Sequence, residues 1–377
     1  MRRLLGLCLA LGLGLAIAAP VHAEPAARTA DVARFEAATE AVWRKDRLAS
    51  VTVGVVRDGR LQSTRSFGMA DIESGVPAGR ATIYRVGSVT KAFTALMLLQ
   101  LVEDGTVRLT DPVSKYYPEI DRVAGRPAGS PPITLLQLAT HTSGLAAEPQ
   151  DADRFAQGPV ADWEKSLKVA LADTRFEFEP GTRFSYSNVG YAVLAAALSR
   201  AAHQPYVTYV EQHIFQPLGM TDTSFEPRAG WGARLAAGYV IDGGVADPGP
   251  ARPGHLGRGY KVPVGAIYTT VDDLAKFVAL QMGDGPASVI QPQTLETASR
   301  SLITTDRGLS QGYGLGFQLF SNGDVTIQGH AGGMPGYRAL EVFERESDTG
   351  FIVLRNAIGG EFGDPVFLVF EAFPPQP

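Results

Sequence analysis

The chain has 377 residues, of which 45% are hydrophobic and 19% charged, so it can bury a large core, has room for two domains and is not of the charge-rich disordered class. Its formal net charge of −5 comes without a conspicuous basic cluster, which argues against a nucleic-acid partner. The single cysteine, Cys8, excludes an internal disulfide and a cysteine metal site.

The first residues have the pattern of a secretory signal. Arg2 and Arg3 precede an apolar run over 4–19, and Val21-His22-Ala23 supplies a small residue for cleavage near Ala23. We therefore predict a signal peptide over 1–23 and export to the periplasm or the medium, with a retained N-terminal anchor as the minority alternative. The run is short and glycine-rich for a spanning helix, and no later segment is long enough, so we predict no stable membrane insertion.

An antiparallel pair of strands is predicted next, between two helices. These elements are expected over 31–48 (helix), 50–57 and 60–67 (strands joined by the hairpin signal Asp58-Gly59) and 88–104 (an apolar helix that stops at Gly105).

Helices dominate the middle of the chain, and strands return at its end. Helices are predicted over 133–141, 188–202 and 206–215, an irregular Gly- and Pro-rich surface segment over 243–259, strands over 311–320 and 324–329 around the turn Asn322-Gly323, strands over 338–343 and 351–354, and a closing helix over 364–373. Because strands cluster at both ends, we predict an α+β fold: one antiparallel sheet flanked by helices, with an inserted, mostly helical domain. The predicted boundaries are 24–106 and 265–377 for the two parts of the sheet domain and 107–264 for the insert.

Ser88 and Lys91 open the first long apolar helix. A lysine three residues after a serine lies one helical turn on, on the same face. A serine hydroxyl becomes a good nucleophile when a neighbouring group takes its proton, and a lysine among apolar residues is driven towards its neutral form. The alternative is an ordinary helix start, with Ser88 as N-cap and Lys91 reaching to solvent.

Two further stretches carry polar groups suited to chemistry. Tyr186 and Asn188 precede another apolar helix, where the phenol can relay protons and the amide can hold a substrate amide; a surface aromatic and a helix cap are the alternatives. His330 lies in the glycine-rich strand end 329–333, whose amides can receive an oxyanion, unless it is an incidental residue of a tight turn. We expect His141 to hold a loop by hydrogen bonds, and no metal-ligand spacing is found in the sequence.

With these sites in this order, the chain resembles the serine β-lactamase and penicillin-binding-protein superfamily. It is most similar to the branch of class C β-lactamases, D-alanyl-D-alanine carboxypeptidases, D-aminopeptidases and related esterases. The similarity covers nearly the whole mature chain, in the segments 85–101, 138–145, 184–191, 217–223, 312–316 and 330–336. The resemblance implies a β-lactamase/transpeptidase-like fold and a serine hydrolase that forms an acyl-enzyme without a metal or cofactor.

The resemblance also implies a role for each matching residue. Ser88 would be the acylated nucleophile, and Lys91 and Tyr186 would share the proton transfers, with the identity of the base left open. Asn188 would hold the substrate amide. His330 would stand where lactamases of this branch usually carry lysine.

Departures from the family pattern bear on the substrate. The amides of Ser88 and Gly333 match the oxyanion hole, but His330-Ala331-Gly332 replaces Lys-Thr-Gly, which disfavours a dedicated β-lactamase. Gln318 holds the place where related carboxypeptidases carry an arginine that meets the substrate carboxylate, and Arg338 is the candidate substitute. An ester or amide without a free carboxylate therefore becomes more plausible as substrate.

These observations lead to one main function and two alternatives. We expect a D-alanyl-D-alanine peptidase-like or D-aminopeptidase-like hydrolase, with a carboxylesterase of the same family as the first alternative. A non-catalytic protein that binds cell-wall peptides is the alternative from another class. The expected partner is a small-molecule or peptide substrate, with cell-wall peptides among the candidates.

Overall fold

The computed structural model describes residues 29–46, 49–300, 302–307, 310–360 and 362–374. The predicted signal peptide over 1–23, with Cys8, lies outside the described residues. None of the helices within these ranges has the length and apolar character needed to cross a bilayer.

Most strands lie towards the two ends of the described chain, and most helices lie between them. The helices run over Val32–Asp46 (α1), Thr90–Glu103 (α2), Leu135–Ala139 (α3), Ala152–Phe155 (α4), Trp163–Ala172 (α5), Asn188–Ala201 (α6), Tyr206–Val210 (α7), Val262–Gly265 (α8), Val271–Met282 (α9), Pro292–Ala298 (α10) and Val366–Phe370 (α11). The strands run over Val51–Arg57 (β1), Arg60–Phe67 (β2), Met69–Asp71 (β3), Val76–Pro77 (β4), Tyr84–Arg85 (β5), Tyr239–Asp242 (β6), Val245–Asp247 (β7), Tyr268–Thr269 (β8), Ile303–Arg307 (β9), Ser310–Tyr313 (β10), Gln318–Asn322 (β11), Val325–Met334 (β12), Tyr337–Glu344 (β13), Thr349–Arg355 (β14) and Ala357–Gly359 (β15).

The main sheet joins the two ends of the chain. Within the described residues it has eight antiparallel strands in the order β2-β1-β14-β13-β12-β11-β10-β9, and β1 pairs with β14 so that Val53 lies opposite Val353. The central strands are runs of β-branched and apolar residues that are buried almost throughout, as expected for a sheet covered on both faces. The predicted α+β fold with helices on an antiparallel sheet is confirmed.

Different helices cover the two faces of this sheet. On one face α1 and α11 meet β14, where the Phe351 ring lies 5.1 Å from Phe35 and 5.8 Å from Phe373 between centroids. On the other face Phe93 of α2 stacks on Phe277 of α9 at 3.8 Å. Because α2 is buried on nearly all sides, polar residues in its first turn are withdrawn from water.

The region predicted as an insert, 107–264, holds α3 to α7, and α6 is buried along most of its length. It also contains the short strands β6 and β7. Strand β15, from the end of the chain, pairs in parallel with β6, with Ala357 opposite Tyr239. The limits of the insert as a separate domain stay a prediction.

Two strand boundaries near the site differ from the prediction. The strand expected over 311–320 is two strands, β10 and β11. The chain turns between them at Gly316, whose φ is +82° and whose missing side chain leaves room for Ala95 of α2, 2.4 Å from where a Cβ would stand. The strand expected to end at Gly329 continues as β12 to Met334, because its pairing with β13 extends that far.

Candidate active site

Ser88 lies in a single turn of 3₁₀ helix, Gly87–Val89, that leads directly into α2. Gly87 has a φ of +52°, in the left-handed region that favours glycine, and a Cβ built there would lie 3.0 Å from the backbone nitrogen of Gly333. The Ser88 side chain is half-buried. The turn therefore holds the hydroxyl at the start of a helix, where the helix dipole favours a developing negative charge.

Lys91 is fully buried and faces the serine. Its Nζ donates to Ser88 Oγ at 3.2 Å, to Asn188 Oδ1 at 2.7 Å and to the carbonyl oxygen of Val264 at 3.3 Å. Burial lowers the pKa of Lys91 well below its ordinary value, and the charge of Glu148 opposes the shift only in part. A lysine in these surroundings can lose its proton and then accept one from the serine, so it does not reach to solvent.

Asn188 is held at both ends of its side-chain amide. Its Oδ1 accepts from Lys91, while its Nδ2 donates to Glu148 Oε1 at 2.6 Å. Glu148 also accepts from Lys261 Nζ at 3.0 Å and from the Tyr260 hydroxyl. These partners fix the orientation of the amide, so its oxygen faces the lysine.

Tyr186 approaches the same lysine from the loop before α6. Its ring centroid lies 4.7 Å from Lys91 Nζ and 4.2 Å from the ring of His141. The Nδ1 of His141 accepts from the backbone N–H of Ser187 at 3.0 Å, so this histidine holds the loop, as the sequence predicted. Ser187 caps α6 through its Oγ, so the alternative of Asn188 as the cap is wrong.

His330 is buried on β12, with its ring centroid 6.4 Å from that of Tyr186. Its Nδ1 lies 2.6 Å from the carbonyl oxygen of Ala331 and, by the hydrogen-bond network, carries the proton; its Nε2 accepts from the Tyr313 hydroxyl at 3.1 Å. Burial, with the neighbouring Lys91 adding to it, lowers the pKa of His330 to about 3. The imidazole is therefore neutral at neutral pH.

The glycine edge of β12 lies directly against the 3₁₀ turn that carries Ser88. A Cβ built on Gly332 would lie 1.9 Å from the carbonyl oxygen of Val86 and 3.2 Å from the backbone nitrogen of Ser88. No side chain fits in that space, so glycine is what allows the strand to approach the turn.

The same edge orients the amides proposed for an oxyanion. The N–H of Ala331 points away from β13 and donates to Gln318 Oε1 at 2.8 Å. Since N–H groups two residues apart on a strand point the same way, the N–H of Gly333 also faces the open side, where Ser88 lies. The structure thus brings together Ser88, Lys91, Tyr186, Asn188, His330 and Gly333.

The family follows from a match that covers most of the sequence. Residues 35–366 match the family model described as Beta-lactamase. The chain belongs to the Beta-lactamase family.

Relatives of this β-lactamase-family chain are similar over different extents. The D-alanyl-D-alanine-carboxypeptidase/endopeptidase AmpH of Escherichia coli (strain K12) is 39% identical over 176 residues, which is 46% of this chain and 44% of AmpH. The chain therefore spans less than half the length of that relative.

Two solved structures are similar in fold. The octameric penicillin-binding protein homologue from Pyrococcus abyssi has a TM-score of 0.76 at 26% identity, covering 90% of this chain and 76% of that chain. The D-amino acid amidase from Ochrobactrum anthropi SV3 has a TM-score of 0.73 at 23% identity, covering 90% of this chain and 98% of that chain.

Gln318, at the place of the carboxylate-binding arginine of related carboxypeptidases, and Arg338, the candidate substitute, lie in different settings. The Gln318 side chain already binds the backbone of Ala331 through its oxygen. Arg338 is exposed and lies opposite Gly333 on β13, where its Nη1 would be 2.5 Å from a Cβ built on that glycine. In this family member, the guanidinium beside Gly333 is thus that of Arg338 on β13.

Two polar residues of the β-lactamase-family site were missed by sequence reasoning. Glu148 lies in a loop after α3, and no local pattern connects it to Asn188, forty residues away. Tyr313 lies within the segment 312–316 that carried the resemblance, so its phenol was available as a signal. Its contact with His330 depends on the pairing of β10, β11 and β12.

Proposed function

We propose that the chain is a serine acyl-transfer hydrolase. Ser88 Oγ attacks a carbonyl carbon while Lys91 Nζ takes the hydroxyl proton, which gives a tetrahedral oxyanion and then an acyl-enzyme. The observation that carries this proposal is the buried Lys91 Nζ, 3.2 Å from Ser88 Oγ and with a lowered pKa. A neutral amine at that distance is a competent general base.

The remaining groups support the later steps. The N–H groups of Ser88 and Gly333 stabilise the oxyanion, and a donor of this kind typically contributes about 100- to 1000-fold in rate. The proton held by Lys91 passes to the leaving group, with Tyr186 beside the same ammonium. Water then releases the acyl group by the same route in reverse.

As substrates we propose peptides or amides of D-amino acids. This class is named in AmpH and in the D-amino acid amidase, and Asn188 offers its amide beside the nucleophile. With a signal peptide over 1–23, such substrates would be met outside the cytoplasm. Arg338, exposed beside Gly333, is the group proposed to meet a substrate carboxylate.

A carboxylesterase is the second candidate. Gln318 stands at the place where related carboxypeptidases carry arginine. Its amide oxygen already accepts from the N–H of Ala331, and its side chain brings no positive charge. An ester without a carboxylate needs no such charge. Release of D-alanine from a D-alanyl-D-alanine peptide, measured beside hydrolysis of p-nitrophenyl acetate, separates the two candidates.

Covalent labelling tests the common mechanism. The Ser88→Ala variant should lose all labelling by a fluorophosphonate or a fluorescent penicillin while unfolding at the wild-type temperature, because only the attacking oxygen is removed. Ser74→Ala, at an exposed serine, is the matched control and should label normally. Intact-mass spectrometry locates the adduct, and an alanine variant that is still labelled at the same site would exclude Ser88 as the nucleophile.

A further inference from the structure

A cavity of about 230 Å³ lies apart from the residues of the serine site, and its mixed lining includes one guanidinium, three aromatic rings, prolines and glycines. Arg258, His255 and Tyr268 are among its lining residues, and Gly254 forms part of the same wall. Gly265 lies between Arg258 and the turn that carries Ser88. A Cβ built on this glycine would lie 3.6 Å from Arg258 Nη2 and 3.9 Å from the carbonyl carbon of Gly87.

A second guanidinium lies directly behind that wall. Arg85 is 1% exposed and sits over the ring of Tyr268, 4.9 Å from its centroid. Its Nη1 would be only 2.1 Å from a Cβ at Gly254, so the absence of a side chain there is what leaves the guanidinium next to the cavity. Burial and the Arg85 charge lower the pKa of Arg258 to about 10, which still leaves it protonated at neutral pH.

The neighbouring tyrosines and histidine do not neutralise these charges, because their hydrogen bonds are satisfied with the groups uncharged. Tyr337 donates to the carbonyl oxygen of Ala236 at 2.8 Å and so accepts from His255 Nε2 at 3.1 Å. His255 Nδ1 then accepts from the Tyr268 hydroxyl at 3.0 Å. Burial lowers the pKa of His255 to about 4, which agrees with an uncharged ring. The charge of Glu148 also acts on Arg258, but that carboxylate accepts from Asn188, Lys261 and Tyr260 and forms no ion pair with the arginine.

Several N–H donors of the two arginines have no acceptor among the described residues. In the described part of the chain, Nε and Nη2 of Arg85 and Nε of Arg258 have no hydrogen-bond partner, and no carboxylate forms an ion pair with either. Glu226 also lines the cavity, but it is exposed at the mouth. Arg85 is buried, and Arg258 is half-buried with a buried Nε. Two neighbouring like charges with buried, unpaired donors are costly unless an anion accompanies them.

We propose that this cavity binds a compact oxyanion, phosphate or a carboxylate group, between Arg258 and Arg85. A guanidinium presents parallel N–H groups that match two oxygens of such an anion. The bound charge would replace like-charge repulsion by attraction at the back of the turn that carries Ser88. The proposal does not depend on the acyl-transfer chemistry, although the charge of Arg258 is among those that lower the pKa of Lys91.

Titration of the purified full chain with inorganic phosphate tests the site. At constant ionic strength, set with chloride, phosphate should raise the unfolding midpoint saturably by about 2 °C or more. A parallel titration with acetate tests whether a carboxylate binds instead. Arg258→Gln should abolish the rise, whereas Arg252→Gln, an arginine whose side chain is 72% exposed, should keep it. Without phosphate, Arg258→Gln should unfold no earlier than the wild type, because one of two repelling cations is gone.

Calorimetric binding of phosphate gives a second measurement with a gentler variant. Arg258→Lys keeps the positive charge but loses the planar guanidinium and its parallel N–H groups, so phosphate should bind at least about tenfold more weakly. No saturable rise in the wild type with either anion, an equal rise in Arg258→Gln, or wild-type affinity in Arg258→Lys would each overturn the proposal.

Discussion

The Lys91 amine lies at the meeting point of Ser88, Asn188 and Tyr186, with no access to water. Its lowered pKa has a consequence for stability as well as for chemistry. Between that lowered pKa and its ordinary value of 10.5, the unfolded chain binds a proton that the folded chain does not. The free energy of unfolding therefore rises with pH through this window.

Lys91→Met should separate the two roles. Activity should fall by about 100- to 10,000-fold because the proposed general base is lost, while the variant should be more stable than the wild type at pH 7. This gain in unfolding free energy should shrink as the pH rises through 10.5, because above that value the wild-type lysine is neutral in the folded and in the unfolded chain. Lys165→Met, with a side chain 84% exposed, is the control and should change neither activity nor stability appreciably. A Lys91→Met enzyme of wild-type activity would contradict the assignment.

His330 makes a second prediction about pH. Its pKa is about 3 in the folded chain and near 6.5 when unfolded, so the unfolded state binds more protons between these values. The unfolding free energy should fall as the pH drops from 6.5 towards 3, and His255 adds to the fall in the same direction. His330→Asn should flatten this dependence in denaturant titrations at several pH values. An unchanged slope would show that the histidine is not buried as a neutral ring.

At the scale of elements, the site depends on one strand edge meeting one helix start. The 3₁₀ turn before α2 and the end of β12 approach so closely that Gly332 has no space for a side chain. The packing of these two elements therefore sets the distance between Ser88 and the N–H of Gly333.

Gly332→Ala tests this approach. Its Cβ would lie 1.9 Å from Val86 O, so strand and turn must separate, and kcat/KM should fall by about 100-fold or more for a displacement near 1 Å. The cost to the free energy of unfolding should be about 1–3 kcal/mol. Gly79→Ala, where nothing lies within 4 Å of the added Cβ, is the control. If both variants keep full activity, the packing of β12 on the turn does not position the site.

At the scale of the whole molecule, the sheet holds the two halves of the site in place. Strand β14 lies between β1 and β13, so Ile352 is opposite both Gly54 and Glu341 and is fully buried. The elements that carry Ser88 and His330 are thereby fixed to one core.

Ile352→Ala should therefore destabilise the whole chain. A truncation of this size in a packed core costs about 2–5 kcal/mol in the free energy of unfolding. Val169→Ala on α5, where the side chain is 54% exposed, should cost little. Denaturant unfolding followed by far-ultraviolet dichroism and by tryptophan fluorescence measures both. Loss of structure in only one part of the Ile352→Ala chain would show that the sheet does not unite the molecule.

Local sequence was enough to predict most elements of the sheet and the pair Ser88 and Lys91. Apolar runs, hairpin turns and the three-residue spacing are local properties, and they remain valid wherever the segment packs. The two strand ends that were wrong, at Gly316 and Gly329, depend on a neighbouring helix and a neighbouring strand that local patterns do not contain.

By itself, then, the sequence determined the α+β fold, the resemblance to its family and the residue types of the candidate site. Only the tertiary structure decided that Lys91 is desolvated, that Glu148 orients Asn188 and that Tyr313 meets His330. The reason is physical: burial and hydrogen-bond partners arise when distant segments pack together, and they set protonation states that no single segment encodes.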